Sequence, residues 1–307
     1  MHYVGMAAMQ FNGILLYNVN WFLISIGVTI ALGVIAMLTY RAMNQWSRDT
    51  EVKRILSRVI SAALIAVAIS GMHYTAMFAA VFGAEALLRW YHPEQGWISP
   101  AEFIPIAEDS GLIIEIGDWI IEQACEILRN WSLGVDTASL TLAINVSGRQ
   151  FQQPDFVDKL CSAIQRYGIN AQNLKLEITE SLMLHDIEIV ATKMHELTEV
   201  GVQFAIDDFG TGYSSLLYLA ELPFETLKID VQFVREMLHQ KSTASIVQAI
   251  IQLAKSLNLS VIAEGVEEPE QRQFLMQLGC HTYQGYLFGR PVAVDEFNQT
   301  IRVIKTP

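Results

Sequence analysis

The chain has 307 residues, 52% of them hydrophobic, and a formal net charge of −12 at pH 7. So large an excess of acid excludes nucleic-acid polymers as the main partner, because polyanion binding needs clustered Lys and Arg. Cys125, Cys161 and Cys280 stand far apart without paired spacing, which excludes a disulfide framework and a cysteine zinc site and leaves ordinary buried residues of a reducing compartment.

Mean hydropathy is positive, +0.30, and the apolar residues gather towards the N-terminus. Residues 1–40 carry no Asp, Glu, Lys or Arg, and neither do residues 59–84. The runs 21–40 and 59–82 each reach the length a helix needs to cross a hydrocarbon core, so both are expected to be transmembrane helices. No basic stretch precedes the first apolar run, so it lacks the character of a signal peptide. Arg41, Arg48, Lys53, Arg54 and Arg58 lie between the two runs, and the positive-inside bias places that loop in the cytoplasm. The second span then sends everything after residue 84 out of the cytoplasm, against the cysteine reading.

An internal repeat lies in the same region. Met1-His2-Tyr3-Val4-Gly5-Met6-Ala7-Ala8 recurs as Met72-His73-Tyr74-Thr75-Ala76-Met77-Phe78-Ala79. His2, Met72, His73 and Met77 are soft and borderline ligands suited to copper, and an ionisable group at membrane depth points to function. The repeat resembles the MHYT family of bacterial integral-membrane sensors, for which a copper-linked response to a diatomic gas is proposed. The second copy matches the family tetrapeptide; the first has Val4 where the family has Thr. The family's domain holds more segments than are present, so residues 1–82 are expected to be a truncated sensor.

From Gly83 the pattern becomes strand then helix, repeatedly. Strands are expected at Gly83–Leu88, Leu140–Asn145, Leu174–Ile178, Gln203–Ile206, Thr226–Ile229, Ser260–Ala263 and Thr282–Phe288. Helices are expected at Leu112–Trp131, Phe156–Tyr167, Asp186–Val200, Thr243–Leu257 and Pro269–Leu278, with Gly168, Gly201 and Gly279 at C-cap positions. This alternation predicts an α/β fold with a parallel sheet, open or closed as a (β/α) barrel. The seven strands counted are one short of a closed barrel.

The strand ends carry the chemistry. They finish in Asn145, Glu177 and Glu180, Asp207-Asp208, Lys228 with Asp230, Glu264 and Gln284. In a (β/α) barrel such residues converge on one face. Oxygen ligands without His or Cys suit hard ions such as Mg²⁺ or Mn²⁺. Asp207, at the centre, suits bridging two ions about 3.5–4 Å apart, the geometry that hydrolyses phosphate esters. Lys228 suits holding a water nucleophile. One lysine does not balance five or six carboxylates, so a bound cation is expected.

These residues resemble the EAL family of cyclic-di-GMP phosphodiesterases, named for Glu85-Ala86-Leu87. Matching motifs run from there to Gln284-Gly285-Tyr286, through Asn145-Val-Ser147, Glu177-Ile-Thr179-Glu180, Asp207-Asp-Phe-Gly-Thr-Gly212, Lys228-Ile-Asp230 and Glu264-Gly-Val-Glu267. The resemblance implies that Glu85, Asn145, Glu177 and Asp207 bind a first metal, and Asp207, Asp208 and Glu264 a second. It further implies that Lys228, Glu264 and Gln284 are catalytic, Lys228 and Gln284 at the attacking water, and that Arg89, Asp230 and Gln284 meet the substrate. Glu180 would brace the loop Asp208–Ser215, which in the family helps dimers form.

The implied reaction opens one phosphodiester bond of cyclic-di-GMP to give linear pGpG. Family members begin with a helix and a strand before the EAL strand, and here the apolar run passes straight into Gly83-Ala84-Glu85. The expectation is a TIM-like barrel, residues 83–307, lacking its first helix and strand by internal deletion and preceded by the membrane region. Such a protein would sit multi-pass in the bacterial inner membrane, its barrel facing the cytoplasm as in the full-length family. The alternatives are a receptor that binds cyclic-di-GMP without hydrolysing it and a copper or gas sensor with an inert barrel.

Overall fold

The computed structural model describes residues 14–17, 80–184, 187–210 and 216–305. The chain divides into two compact units, residues 1–6 with 16–81 and residues 7–15 with 82–307, and the elements below belong to the second apart from residues 16–17 and 80–81. The expected span 21–40, nearly all of 59–82, and the candidate copper ligands His2, Met72, His73 and Met77 lie outside the described residues. Among the described residues no helix is long and apolar enough to cross a membrane.

Two strands come first, β1 at Ile14–Tyr17 and β2 at Ala80–Ala86. The second corrects two expectations. It starts at residue 80 rather than 83, so the end of the apolar run expected as membrane helix is strand. It also ends at Ala86, one residue past Glu85. A small hairpin follows, β3 at Trp90–His92 and β4 at Gly96–Ile98, closed by His92 Nδ1, which accepts from the backbone N–H groups of Glu94 and Gln95 at 3.2 and 3.3 Å.

Helix α1, Pro100–Ser110, was not foreseen. Pro105 lies inside it, and an internal proline hides a helical pattern in the sequence. Gly111, at φ 83, ends α1 and opens α2, Leu112–Ser132. Helix α2 buries Ile113, Gly117, Ile121, Ala124, Cys125, Leu128 and Trp131, a spacing of mostly three and four that turns one stripe inward.

The alternation then proceeds as expected: β5 Thr141–Asn145, α3 Gly148–Gln152, α4 Phe156–Tyr167, β6 Leu174–Thr179, α5 Ile187–Val200 and β7 Gln203–Phe209. The second half adds α6 Leu216–Glu221, β8 Thr226–Ile229, α7 Val231–Glu236, α8 Lys241–Ser256, β9 Ser260–Ala263, α9 Pro269–Gln277, β10 Thr282–Tyr283 and α10 Val294–Lys305. The last strand is shorter than expected, because Gly285 begins a turn where continued pairing was predicted. Gly168, Gly201 and Gly279 all adopt positive φ directly after helices, the conformation in which a C-cap needs glycine.

Strands β2, β5, β6, β7, β8, β9 and β10 are parallel neighbours in that order, seven as counted in the sequence. An eighth place is filled from an unexpected source. The short β1 pairs antiparallel with β10, Leu15 opposite Tyr283, and the strand order is that of a closed barrel. Leu174, Leu176 and Phe204 are fully buried on one side of their strands, where Phe204 meets Phe151 of α3 edge-on at 6.3 Å. Alternate residues point the other way, into the barrel, and converge at the C-terminal strand ends.

Candidate active site

Each functional side chain is delivered by the end of a different strand. Glu85 leaves β2, Asn145 β5, Glu177 β6, Asp207 β7 and Lys228 β8, while Glu264 and Gln284 directly follow β9 and β10. Parallel register aligns them: Asn145 pairs with Glu177, and Glu85 sits opposite Ala143, two residues before Asn145.

Lys228 is the hub. Its ammonium lies 2.6 Å from Glu177 Oε2, 2.7 Å from Glu264 Oε1, 3.1 Å from Asp207 Oδ1 and 3.5 Å from Glu85 Oε2. The Lys228 side chain is 1% exposed and that of Glu177 0%. Glu85 is held at both oxygens. Asn145 Nδ2 donates to Oε1 and Gln284 Nε2 to Oε2, each at 2.7 Å. Glu177 Oε1 and Gln284 Oε1 are buried and have no hydrogen-bond partner among the described residues, so two oxygen acceptors stand open inside the cluster.

Adjacent residues of a regular strand face opposite sides, so Asp207 and Asp208 should not share a site. A bulge resolves this. Pairing of β7 with β8 shifts register between Ile206 and Phe209, and Asp208 adopts φ 53, a left-handed conformation that costs a non-glycine residue about 1–2 kcal/mol. The extra residue turns both carboxylates to the same end of the barrel. Asp207, Asp208 and Glu264 then present oxygens all within 4.8 Å of one another.

The charges respond to this crowding. Burial pushes Glu177 well above the ordinary carboxylate range, Lys228 pulls it back only in part, and Glu85 and Asp207 add to the rise. Glu264 is pushed up to about 8 by burial; Lys228 pulls it back in part, and Asp207 and Glu85 add to the rise. Asp208 reaches about 6 through burial and its neighbours Asp207 and Asp230. Burial also drives Glu85 upward, but Lys228 and the amides of Gln284 and Asn145 hold it below its usual value. For Lys228, burial pulls downward and the four carboxylates raise it well above an ordinary lysine.

Three carboxylates gathered this closely, beside an acceptor oxygen of Glu177 without a donor, fit a divalent cation with oxygen ligands. A cleft of about 1190 Å³ opens over them, lined by Arg89, Trp97, Arg235, Glu267 and Tyr286 besides the cluster itself.

Two other expected residues have structural positions. Asp230 caps α7 by accepting from the Gln232 N–H at 2.7 Å and stands beside Asp208. Glu180 is buried and accepts a long bond, 3.4 Å, from the Gly210 N–H at the root of the expected loop; residues 211–215 of that loop lie outside the described residues. Arg89 is exposed on the cleft wall, its guanidinium donating to its neighbour's carbonyl, Leu88 O. Gly265, at φ 65, lets the chain turn directly after Glu264, and an added Cβ would collide with the Val231 side chain.

Sequence reasoning missed one charged group. Lys175, half-buried, stands on β6 two residues before Glu177 and donates to Thr226 Oγ1 at 2.9 Å. The barrel therefore holds two lysines inside, where one was expected. Its position two residues before an inward-facing acid was the available signal.

Comparison with known proteins places this geometry. The model of the EAL domain family matches residues 72–291, and that of the bacterial signalling protein N terminal repeat matches residues 1–49. MucR of Pseudomonas aeruginosa, a bifunctional diguanylate cyclase/cyclic di-GMP phosphodiesterase, is 44% identical over 216 residues, 70% of this chain and 31% of that protein. NbdA of the same organism, a cyclic di-GMP phosphodiesterase, is 39% identical over 243 residues, 77% of this chain and 31% of that one. The chain spans about a third of the length of these relatives. The solved PaMucR phosphodiesterase in complex with c-di-GMP superimposes with a TM-score of 0.67 at 45% identity, over 70% of this chain and 86% of that one.

Proposed function

The chain belongs to the EAL domain family, and we propose that it hydrolyses cyclic-di-GMP to linear pGpG in a reaction dependent on divalent cations. The observation that carries this reading is the Lys228 ammonium set within 3.5 Å of four carboxylates from four strands, Glu85, Glu177, Asp207 and Glu264. Glu85, Asn145, Glu177 and Asp207 would hold a first ion, and Asp207, Asp208 and Glu264 a second; Mg²⁺ and Mn²⁺ suit this all-oxygen set. Such ions supply Lewis acidity at a phosphoryl oxygen and lower the pKa of a bound water.

The chain's own residues do the rest. Lys228 holds its proton firmly among the carboxylates and is placed to orient the attacking water. Gln284, fixed through its amide to Glu85, presents an open acceptor oxygen to the same space. Arg89, on the cleft wall, carries the guanidinium fork that suits a phosphodiester, and Asp230 steadies Asp208 from the start of α7. Glu180 anchors the root of the loop that begins at Asp208, which by the family resemblance would help two barrels form a homodimer.

Residues 1–82, apart from the barrel strand β1 and the first residues of β2, are proposed as a shortened membrane sensor tethering the enzyme, residues 83–307, to the bacterial inner membrane as a multi-pass protein with the barrel in the cytoplasm. The N-terminal repeat match and the charge-free runs support the membrane tether, whereas the cytoplasmic side of the barrel rests on the full-length family and runs against the two-span topology. His2, Met72, His73 and Met77 are the proposed copper ligands. Seven parallel strands with an antiparallel eighth support a barrel shortened before the EAL strand. The test is hydrolysis of cyclic-di-GMP by the detergent-solubilised full chain with Mn²⁺. Linear dinucleotide should accumulate, and chelation should stop it. Binding without turnover by a folded, Mn²⁺-supplied sample would sink the enzyme reading in favour of a receptor.

A further inference from the structure

We infer that Lys175 is a positioning residue of this same centre: a second interior cation, below the carboxylates, that sets how tightly the centre holds a divalent ion. The inference rests on the metal reading of the site given above.

Lys175 and Glu177 leave β6 on the same face, because side chains alternate along a strand. That face is the barrel interior, since Glu177 Oε2 meets Lys228 at 2.6 Å while Leu174 and Leu176 are fully buried on the opposite side. The Lys175 ammonium does not turn towards solvent. It crosses the width of β7 to reach Thr226 Oγ1 on β8 at 2.9 Å. Ala205, paired with Glu177 on one side and Thr226 on the other, offers only a methyl group there and leaves the path open.

Thr226 in turn lies two residues before Lys228 on β8, again on the inner face. Glu177 thus has Lys228 on one side and Lys175 two residues below it on its own strand, with the lower ammonium fixed by the threonine hydroxyl at a distance from the carboxylate. Glu85, Glu177, Asp207, Asp208 and Glu264 set five carboxylates against these two lysines, a formal excess of three negative charges, and Glu225 acts on Lys175 as a further acid outside the centre. A fixed interior charge is little screened by salt, and it repels a dication with twice the energy with which it repels a proton. Lys175 is therefore placed to weaken cation binding and to stabilise the cation-free barrel. A residue that only filled the barrel floor would do neither through its charge.

The experiment titrates Mn²⁺ alone, without substrate, into the detergent-solubilised full chain by calorimetry at pH 8.5, where proton competition is weakest. Lys175→Met should tighten Mn²⁺ binding by about tenfold, the scale expected of one interior charge several ångströms away, and should lower the melting temperature of the cation-free protein. Lys175→Arg should keep affinity within about twofold of the unmodified protein, because the charge remains. Should Lys175→Met fail to fold, Lys175→Gln gives the same comparison. A folded, uncharged variant with unchanged Mn²⁺ affinity overturns the inference. Absence of Mn²⁺ binding by the unmodified protein is a different result and overturns the metal reading beneath it.

Discussion

Strand β6 has two sides that obey opposite rules. On the outer side Leu174, Leu176 and Ile178 are at most 1% exposed, and they need no partner beyond other apolar atoms. On the inner side the half-buried Lys175 and the buried Glu177 are charges that depend on partners, and one Glu177 oxygen has none among the described residues. The same contrast holds on β7, where Phe204 and Ile206 alternate with Asp207. Stability comes from one face and chemistry from the other. Substitutions on the two faces should therefore separate folding from turnover.

The largest expected effect is on the inner face. Glu177→Gln keeps the side-chain shape but removes the charge that would hold a cation, and hydrolysis should fall on the order of 10³-fold. The cation-free protein should melt no lower than the unmodified one. Lys228 keeps three other carboxylates within 3.5 Å, so no uncompensated lysine is left behind. A drop in melting temperature as large as the loss of turnover would collapse the distinction between the faces.

On the outer face, Phe204→Ala should do the reverse. Phe204 is 0% exposed and packs edge-on against Phe151. Its truncation should cost about 3–5 kcal/mol in urea denaturation. Mn²⁺ affinity of the molecules that remain folded should be close to unchanged, because Asp207 leaves the strand on the other side.

A third test uses protons. Glu264, raised to about 8 in the folded protein from an ordinary 4.5, holds a proton that the unfolded chain releases. Its contribution to stability is complete below pH 4.5 and is lost as pH rises through about 8. The cation-free protein should therefore melt at lower temperature at pH 8 than at pH 5, and added Mn²⁺ should stabilise it most at the alkaline end, where the ion displaces fewest protons. A melting temperature that rises with pH in the absence of metal would contradict the crowding on the inner face.

Much of this was legible in the sequence. Apolar runs ending in acids and amides gave four of the seven parallel strands, β5, β6, β8 and β9, to within a residue, because buried parallel strands read as continuous Val, Ile, Leu and Ala. The convergence of Asn145, Glu177, Asp207, Lys228, Glu264 and Gln284 followed from barrel topology, and the place of Glu85 among them from the family resemblance. Three things did not. Helix α1 was hidden by Pro105. The bulge at Asp207-Asp208 was invisible, since neither aspartate signals a left-handed residue as glycine would. And β1 escaped because four residues far upstream in the chain carry no periodicity that ties them to β10. Lys175 was passed over for a simpler reason: a lysine between two leucines reads as a solvated position until the register turns it inward.

The smallest expected effect concerns backbone strain, which both regions contain. Asp208, at φ 53 in the bulge, and Asn258, at φ 57 after α8, are the two non-glycine residues at positive φ among those described. Changing either to glycine relieves a left-handed conformation worth about 1–2 kcal/mol but adds about 0.5–1 kcal/mol of unfolded-state entropy. At Asn258 the terms nearly cancel, because asparagine tolerates this region better than most residues, and stability should move by no more than about 0.5 kcal/mol. At Asp208 a second term acts in the same direction as the relief. The substitution removes a carboxylate crowded by Asp207 and Asp230, so the cation-free protein should gain about 1 kcal/mol. It should also bind Mn²⁺ more weakly, since one of the three clustered carboxylates is gone. A gain at Asp208 equal to that at Asn258 would mean that the strain there is ordinary turn geometry. A larger gain, coupled to weaker cation binding, ties the strained residue to the site it serves.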